Sequence, residues 1–219
     1  QKRFNLNNIL CGSEGTLGFI TEAKLNILPI PKHSALVIVK YNDFQASLRD
    51  ATELMKAGPT SIETIDSKVL NLAMNDFSWN QVEEFFSEAT PVPVQGINLV
   101  EYAGDSLEEL QQNIDGLVSQ IQNSMATTTN ATRIGVSVAM GNESVKKVWA
   151  MRKQAVGLLG NSKGEARPVP FVEDTAVPPE NLADFIMDFR AILDGYKLNY
   201  GMFGHVDAGV LHVRPALDM

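Results

Sequence analysis

Hydrophobic and polar residues follow two different periods along most of the chain. Runs in which every second residue is apolar predict β-strands, and apolar residues three and four positions apart predict amphipathic helices. Gly and Pro punctuate these runs, as at Gly58-Pro59, where a helical pattern ends. The predicted strands are 23–29, 35–41, 61–65, 95–102, 132–140, 169–172 and a final pair through 204–214, and the predicted helices are 44–57, 68–74, 79–88, 106–125, 143–159 and 179–193.

The order of these elements predicts an α+β fold. Strands and helices alternate as two β-α-β units, which we expect to form ferredoxin-like halves of one antiparallel sheet covered by helices. The longest predicted helix begins with a capping box, Ser106 and Glu109. With 219 residues, 44% of them hydrophobic, the chain is long enough to bury a core as one large domain or two small ones.

A pair of histidines is the first candidate for a metal-binding site. His205 and His212 lie seven residues apart in a segment broken by a glycine turn signal. If Ala208-Gly209 is a two-residue hairpin turn, His205 lies directly opposite His212 on the same face of the sheet. Imidazoles at such positions can share one metal ion, but a usable centre needs a third ligand, usually a carboxylate. Two hydrogen-bonded structural histidines under a loop are the alternative, and the spacing alone does not favour either.

Glycines recur at intervals of three near the start of the chain, at Gly12, Gly15 and Gly18. Without Cβ atoms, this backbone can present N–H groups to a phosphate or to a ring oxygen. The run leads into a strand pattern, which excludes a Rossmann fingerprint, and no Gly-Lys-Ser/Thr follows, which excludes a P-loop. From spacing alone, a plain tight turn is the favoured interpretation.

Three elements resemble one known family. The run 12–21 (GSEGTLGFIT), followed by alternation up to Pro29, resembles the closing segment of the flavin domain in FAD-linked oxidases of the vanillyl-alcohol-oxidase type. Residues 149–152 (WAMR) resemble the Trp-x-x-Arg helix of that family, and 204–212 resemble its Gly-His-x-Gly-Asp-Gly-Asn-x-His element. The elements occur in the family's order. The chain thus resembles the C-terminal domain of D-lactate and D-2-hydroxyglutarate dehydrogenases, and its ending at 214–219 resembles the long branch fused to an iron-sulfur domain.

The resemblance implies a domain organisation and a function. Residues 1–30 would end an FAD-binding domain, and residues 31–219 would form a substrate-covering C-terminal domain, incomplete at its C-terminus. The parent would be an FAD-dependent D-2-hydroxyacid dehydrogenase, oxidising the hydroxyl of D-2-hydroxyglutarate or D-lactate to a keto group, and the isolated segment is expected to be inactive. The alternative is a non-catalytic ferredoxin-like binding or assembly module.

The resemblance also assigns site residues. Arg152 would contact the substrate carboxylate, and His205 and His212 would bind a divalent metal, usually zinc. The family's third metal ligand and adjacent histidine, in a Glu-His-Gly element, are expected beyond residue 219. The loop residues implied to border FAD are Gly12, Ser13, Glu14, Gly15, Thr16 and Gly18.

Some positions depart from the family pattern. The turn between the histidines is Val-Asp-Ala-Gly-Val, and Val172 stands where several relatives carry a substrate-binding lysine. Lys163 or Arg167 is a candidate to supply that positive charge. Glu173-Asp174 could supply a third metal ligand or form the polar end of a strand. We favour the second interpretation.

Net charge, cysteine content and hydropathy limit the ligands, cofactors and locations that the sequence allows. The formal net charge of −8 disfavours a nucleic-acid surface. The family resemblance implies a small 2-hydroxyacid as the partner, with an unknown electron acceptor. The single cysteine, Cys11, excludes an internal disulfide, and an iron-sulfur cluster would need cysteines of a downstream domain. No apolar run approaches the ~18 residues of a membrane span and no signal peptide is recognisable, which favours a cytoplasmic location.

Overall fold

The computed structural model of the chain describes residues 4–87, 90–128, 131–160 and 166–218. They divide into two compact units, of which the first ends at Ile30 and the second begins at Pro31. The helices are α1 (Asn7–Leu10) in the first unit and α2 (Phe44–Leu54), α3 (Ser67–Met74), α4 (Leu107–Thr127), α5 (Asn142–Gly160) and α6 (Leu182–Gly195) in the second. The strands are β1 (His33–Tyr41), β2 (Ser61–Asp66), β3 (Gly96–Gly104), β4 (Arg133–Met140), β5 (Arg167–Pro168), β6 (Val172–Ala176), β7 (Tyr200–His205) and β8 (Val210–Leu217).

The second unit is built on one antiparallel sheet. Its strand order is β4-β1-β3-β2-β7-β8-β5, and β6 also pairs with β8. The elements β1-α2-β2 and β3-α4-β4 give the order β4-β1-β3-β2, which is the arrangement of a ferredoxin-like half. Strands β7, β8 and β6, with α6, extend the sheet beyond β2. The predicted α+β class is therefore confirmed.

Helices cover both faces of this sheet, so the chain has two hydrophobic cores. Helices α2, α4 and α6 pack on one face, and α3 and α5 pack on the other. Strand β1 supplies side chains to both cores: Val37 and Val39 point to the first, and Leu36 and Ile38 to the second. This explains why β1 reads as a continuous apolar run rather than as an alternating one.

Helix boundaries follow local capping chemistry. Asp43 precedes α2 and its side chain accepts the Ala46 N–H. A 3-10 turn, Met55–Ala57, continues from α2 and ends at Gly58, which has a left-handed φ of 67°. The hydroxyl of Ser106 accepts the Glu109 N–H at 3.3 Å, so the predicted cap of α4 is confirmed. In the described part of the chain, no helix combines the length and hydropathy needed to cross a membrane.

Three predicted elements are wrong. The helix predicted at 79–88 is a pair of 3-10 turns, Phe77–Gln81 and Glu83–Phe85. The strand predicted at 169–172 is replaced by the separate strands β5 and β6, because Pro168 and Pro170 have no N–H to continue a ladder. The strand predicted before Pro29 is absent, and the described part of the first unit contains no strand that could pair with it.

Asp66 ties three elements of the second unit together. One carboxylate oxygen caps α3 by accepting the Val69 N–H at 2.8 Å, and the other accepts the Met202 N–H of β7 at 2.8 Å. The residue is 1% exposed. Burial raises its pKa from 3.8 to about 6, an effect that the two backbone hydrogen bonds reduce but do not cancel.

We expect Asp66 to make the stability of the chain pH-dependent. Because its folded pKa lies above the unfolded value, the folded state favours the protonated acid, so this contribution is full below about pH 4 and is lost as the pH rises through 6. The stability advantage of wild type over Asp66→Asn should shrink by about 2 kcal/mol between pH 4 and pH 7. Urea unfolding at several pH values measures this, and a constant difference would show that Asp66 does not titrate in this range.

Candidate functional site

The two histidines lie on the hairpin of β7 and β8, but in a different register from the predicted one. Phe203, not His205, is directly opposite His212. The predicted two-residue turn is wrong because a 3-10 turn, Val206–Ala208, precedes Gly209. Gly209 has a φ of 71°, and a Cβ there would lie 1.9 Å from the Val177 carbonyl oxygen, so this tertiary contact requires glycine.

The histidine side chains nevertheless share one face of the sheet. The register differs from the predicted one by two residues, and side chains along a strand return to the same face every second position. The imidazole rings of His205 and His212 are 5.7 Å apart between centroids and nearly perpendicular, at 77°. His212 also lies against the Phe203 ring, at 4.9 Å.

Glu63 connects this histidine pair to the arginine helix. It lies in β2, opposite His205, and its side chain is only 8% exposed. One carboxylate oxygen accepts a hydrogen bond from Nδ1 of His205. The other accepts two from Arg152, with Nη2 at 2.8 Å and Nε at 3.2 Å. A charge buried this deeply is tolerated only with such partners, so these three residues form one electrostatic unit.

Arg152 lies on α5, with its guanidinium over the Phe203 ring at 4.9 Å. Its side chain is 19% exposed. The hydrogen bonds to Glu63 use Nε and Nη2, and Nη1 makes no hydrogen bond within the described chain. That edge of the guanidinium can bind a further carboxylate with two parallel hydrogen bonds.

A second arginine, Arg214, also lies near the Phe203 ring. Its guanidinium carbon is 5.4 Å from the ring centroid. Its Nε donates to the carboxylate of Glu173 in β6, so Glu173 serves as an ion-pair partner. We name the resulting group the Phe203 cluster, whose members are Glu63, Arg152, Glu173, Phe203, His205, His212 and Arg214.

The structure brings together three of the residues singled out from sequence, namely Arg152, His205 and His212. Lys163 lies outside the described residues, and Arg167 lies exposed on β5. Across the described ranges, no set of three or more His, Cys, Asp or Glu side chains is arranged to hold a metal ion.

Sequence reasoning missed Glu63, Phe203 and Arg214. For Glu63 a signal was present, because a carboxylate within the apolar strand pattern 61–65 would be buried in a sheet covered on both faces. Phe203 and Arg214 flank the histidine pair in sequence, but their proximity to Arg152 depends on the packing of α5 against the sheet.

The predicted FAD-bordering residues belong to the first unit. Gly12 and Gly15 have left-handed φ values of 81° and 77°, and Glu14 shares that region at 48°. The Thr16 hydroxyl and N–H both donate to the Ser13 carbonyl, at 2.6 and 2.9 Å, which forms a tight turn. A Cβ at Gly12, Gly15 or Gly18 would meet no atom within 4 Å, so the backbone of this loop is open to a ligand or another surface.

Comparison with known proteins decides the family. The family model of FAD linked oxidases, C-terminal domain, matches residues 30–219. The chain belongs to this family. It is 58% identical to a D-2-hydroxyglutarate dehydrogenase of Pseudomonas putida over 219 residues, which are 100% of this chain and 21% of that protein. It is 52% identical to one of Escherichia coli over 216 residues, 99% of this chain and 21% of that protein. The chain thus spans about a fifth of the length of these relatives.

Solved structures agree with this FAD-linked oxidase assignment at the level of the fold. An alkyldihydroxyacetonephosphate synthase superposes with a TM-score of 0.60 at 15% identity, covering 99% of this chain and 41% of that protein. The 4-ethylphenol oxidase of Gulosibacter chungangensis, in complex with isoeugenol, gives a TM-score of 0.51 at 12% identity. This superposition covers 89% of this chain and 41% of that protein. The resemblance inferred from sequence is therefore confirmed for the family and for the fold.

Proposed function

We propose that the chain is the substrate-covering part of an FAD-dependent D-2-hydroxyglutarate dehydrogenase. The observation that carries this proposal is the Phe203 cluster, in which Arg152 and the two histidines face one region of the sheet. The identity of 58% to a D-2-hydroxyglutarate dehydrogenase along the whole chain supports it. A purely structural module has no need to bury Glu63, since apolar side chains of similar volume would be at least as stable there.

Arg152 binds and orients the substrate in this proposal. Its free guanidinium edge matches the geometry of a carboxylate, and Glu63 and the Phe203 ring hold the group in place before the substrate arrives. Oxidation removes the hydroxyl proton and a hydride from C2 of D-2-hydroxyglutarate, which leaves 2-oxoglutarate. When bound, FAD supplies the hydride acceptor.

His205 and His212 fit two positions of a metal site. A ring centroid lies about 3.2 Å from a metal bound at that ring's nitrogen, so two rings that share one ion at a tetrahedral angle lie about 5 Å apart, close to the observed 5.7 Å. Glu63 occupies Nδ1 of His205, which leaves Nε2 for coordination, as is common for metal-bound histidines. A divalent ion there would polarise the substrate hydroxyl.

The charges of the cluster also suit a cation. With neutral imidazoles, Glu63 and Glu173 offset Arg152 and Arg214, so the cluster itself has no net charge. An added dicarboxylate would therefore leave an excess negative charge in a partly buried site. A bound divalent cation would balance it.

Exposed apolar side chains in the first unit are evidence for a neighbouring flavin domain. Phe19, Ile27 and Ile30 are 99%, 90% and 92% exposed, which is costly for large apolar side chains in water. We propose that an FAD-binding domain covers this segment and that the open loop 12–18 borders the flavin. A downstream iron-sulfur module and a cytoplasmic location are part of the same proposal.

Product analysis tests the proposed function. The full-length protein that contains this segment should be isolated with bound flavin and should convert D-2-hydroxyglutarate to 2-oxoglutarate with an artificial electron acceptor. The L-isomer serves as the stereochemical control. A flavin-free protein, or one that leaves D-2-hydroxyglutarate unchanged, would contradict the proposal.

Metal content is a separate prediction for the histidines. We expect about one divalent ion per full-length wild-type chain, and a loss of at least tenfold in metal affinity in His205→Ala and in His212→Ala. Elemental analysis after dialysis measures this. His33→Ala is the matched control, because His33 begins β1 and lies outside the Phe203 cluster. Equal metal content in all four proteins would contradict a metal-binding role.

A further inference from the structure

We infer that Arg214 binds the second carboxylate of a dicarboxylic substrate and thereby selects dicarboxylic over monocarboxylic hydroxyacids. This inference rests on the proposed function and adds a specificity residue to the same site. Arg214 belongs neither to the histidine pair nor to the Trp-x-x-Arg element.

The location of Arg214 is the first argument. Arg214 follows His212 by two residues on β8, so both side chains leave the same face of the strand. Its guanidinium carbon and that of Arg152 lie 5.4 Å and 4.9 Å from the centre of the same Phe203 ring. The region of the sheet that contains the histidine pair therefore carries two guanidinium groups.

The hydrogen bonds of Arg214 are the second argument. Only its Nε is engaged, by Glu173, and within the described residues its two terminal nitrogens make no hydrogen bond. The side chain is 21% exposed, so it is not sealed within the protein. Arg152 is similar, because Glu63 binds its Nε and Nη2 and its Nη1 makes no hydrogen bond with the described residues. Each guanidinium thus donates to one protein carboxylate and can donate to a second carboxylate.

The distance between the two arginines is the third argument. Because both guanidinium carbons lie near the same ring centre, they can be at most about 10 Å apart. A five-carbon diacid can bridge that gap with charge-assisted hydrogen bonds of about 2.8 Å at each end. A monocarboxylic acid such as D-2-hydroxybutyrate reaches only one arginine, so the loss of Arg214 should affect the two acids differently.

Steady-state kinetics of the full-length protein test this difference. In Arg214→Gln, the KM for D-2-hydroxyglutarate should rise about 10- to 100-fold, and that for D-2-hydroxybutyrate should change by less than about threefold. Arg214→Lys retains the charge without the planar fork and should give an intermediate loss. Arg49→Gln is the control for charge, since Arg49 on α2 forms an exposed ion pair with Asp184 on α6. Equal losses for both acids, or a KM for D-2-hydroxyglutarate within threefold of wild type, would overturn the inference.

Calorimetric binding of glutarate and butyrate separates this inference from the proposed function. Glutarate should bind wild type at least tenfold more tightly than Arg214→Gln, and butyrate should bind both equally. If the wild type oxidises neither hydroxyacid but shows this pattern, the proposed function fails and the role of Arg214 stands. If glutarate binds both proteins alike, the inference is wrong whatever the enzyme oxidises. Arg214→Lys repeats the comparison should Arg214→Gln fail to fold.

Discussion

Replacing Glu63 with glutamine should destabilise the protein by about 3 kcal/mol and lower kcat/KM for D-2-hydroxyglutarate at least 100-fold. The carboxylate accepts hydrogen bonds from both His205 and Arg152 while its side chain is 8% exposed. A glutamine amide accepts at one end but donates at the other, so one of these two donors would face another donor. The uncompensated charge of Arg152 would remain in a partly buried site.

Urea unfolding and steady-state kinetics of Glu63→Gln measure the two effects. Glu53→Gln is the matched control, because it removes the same charge from an exposed pair with Lys56 and should change neither property measurably. A double-mutant cycle with Arg152→Met should give a coupling free energy of about 2 kcal/mol. Additive losses, or a loss no larger than that in Glu53→Gln, would show that the buried pair does not organise the site.

Arg152→Met should lower kcat/KM for D-2-hydroxyglutarate about 1,000-fold, mainly through binding and orientation of the carboxylate. Arg152→Lys should recover only part of this activity, because an ammonium cannot form the two parallel hydrogen bonds of a guanidinium. Both variants are to be compared by steady-state kinetics with added artificial acceptor.

The adjacent cation on α5 offers a matched control for Arg152. Lys153 is exposed, so Lys153→Met removes the same charge one residue away without touching the Phe203 cluster. We expect its kinetics to stay within about twofold of wild type. Similar losses in Arg152→Met and Lys153→Met would indicate an effect of net charge or helix stability, and would contradict a direct role for Arg152.

Much of the fold could be predicted because local patterns and tertiary structure agree. The runs that became β1, β2, β3 and β4 have boundaries close to those predicted, and the helices between them begin at recognisable caps such as Ser106. The strand predicted before Pro29 failed because a strand requires a partner, and alternation of apolar residues alone cannot supply one.

The site could be predicted only in part. His205, His212 and Arg152 were identifiable by spacing and by resemblance, whereas the register of the histidines depends on Gly209 and its contact with Val177. Glu63 meets Arg152 from 89 positions away in the chain, so the pair exists only once β2 and α5 have packed together. The sequence indicates such a long-range contact only through a charged residue in a strand that is otherwise buried.

A crystal structure of the full-length protein with 2-oxoglutarate tests the central claim most directly, because it locates the ligand relative to the Phe203 cluster. We predict one ligand carboxylate within hydrogen-bonding distance of Arg152, with the keto group on the side of His205 and His212. A ligand bound elsewhere, or bound with Arg152 still unengaged, would contradict the account.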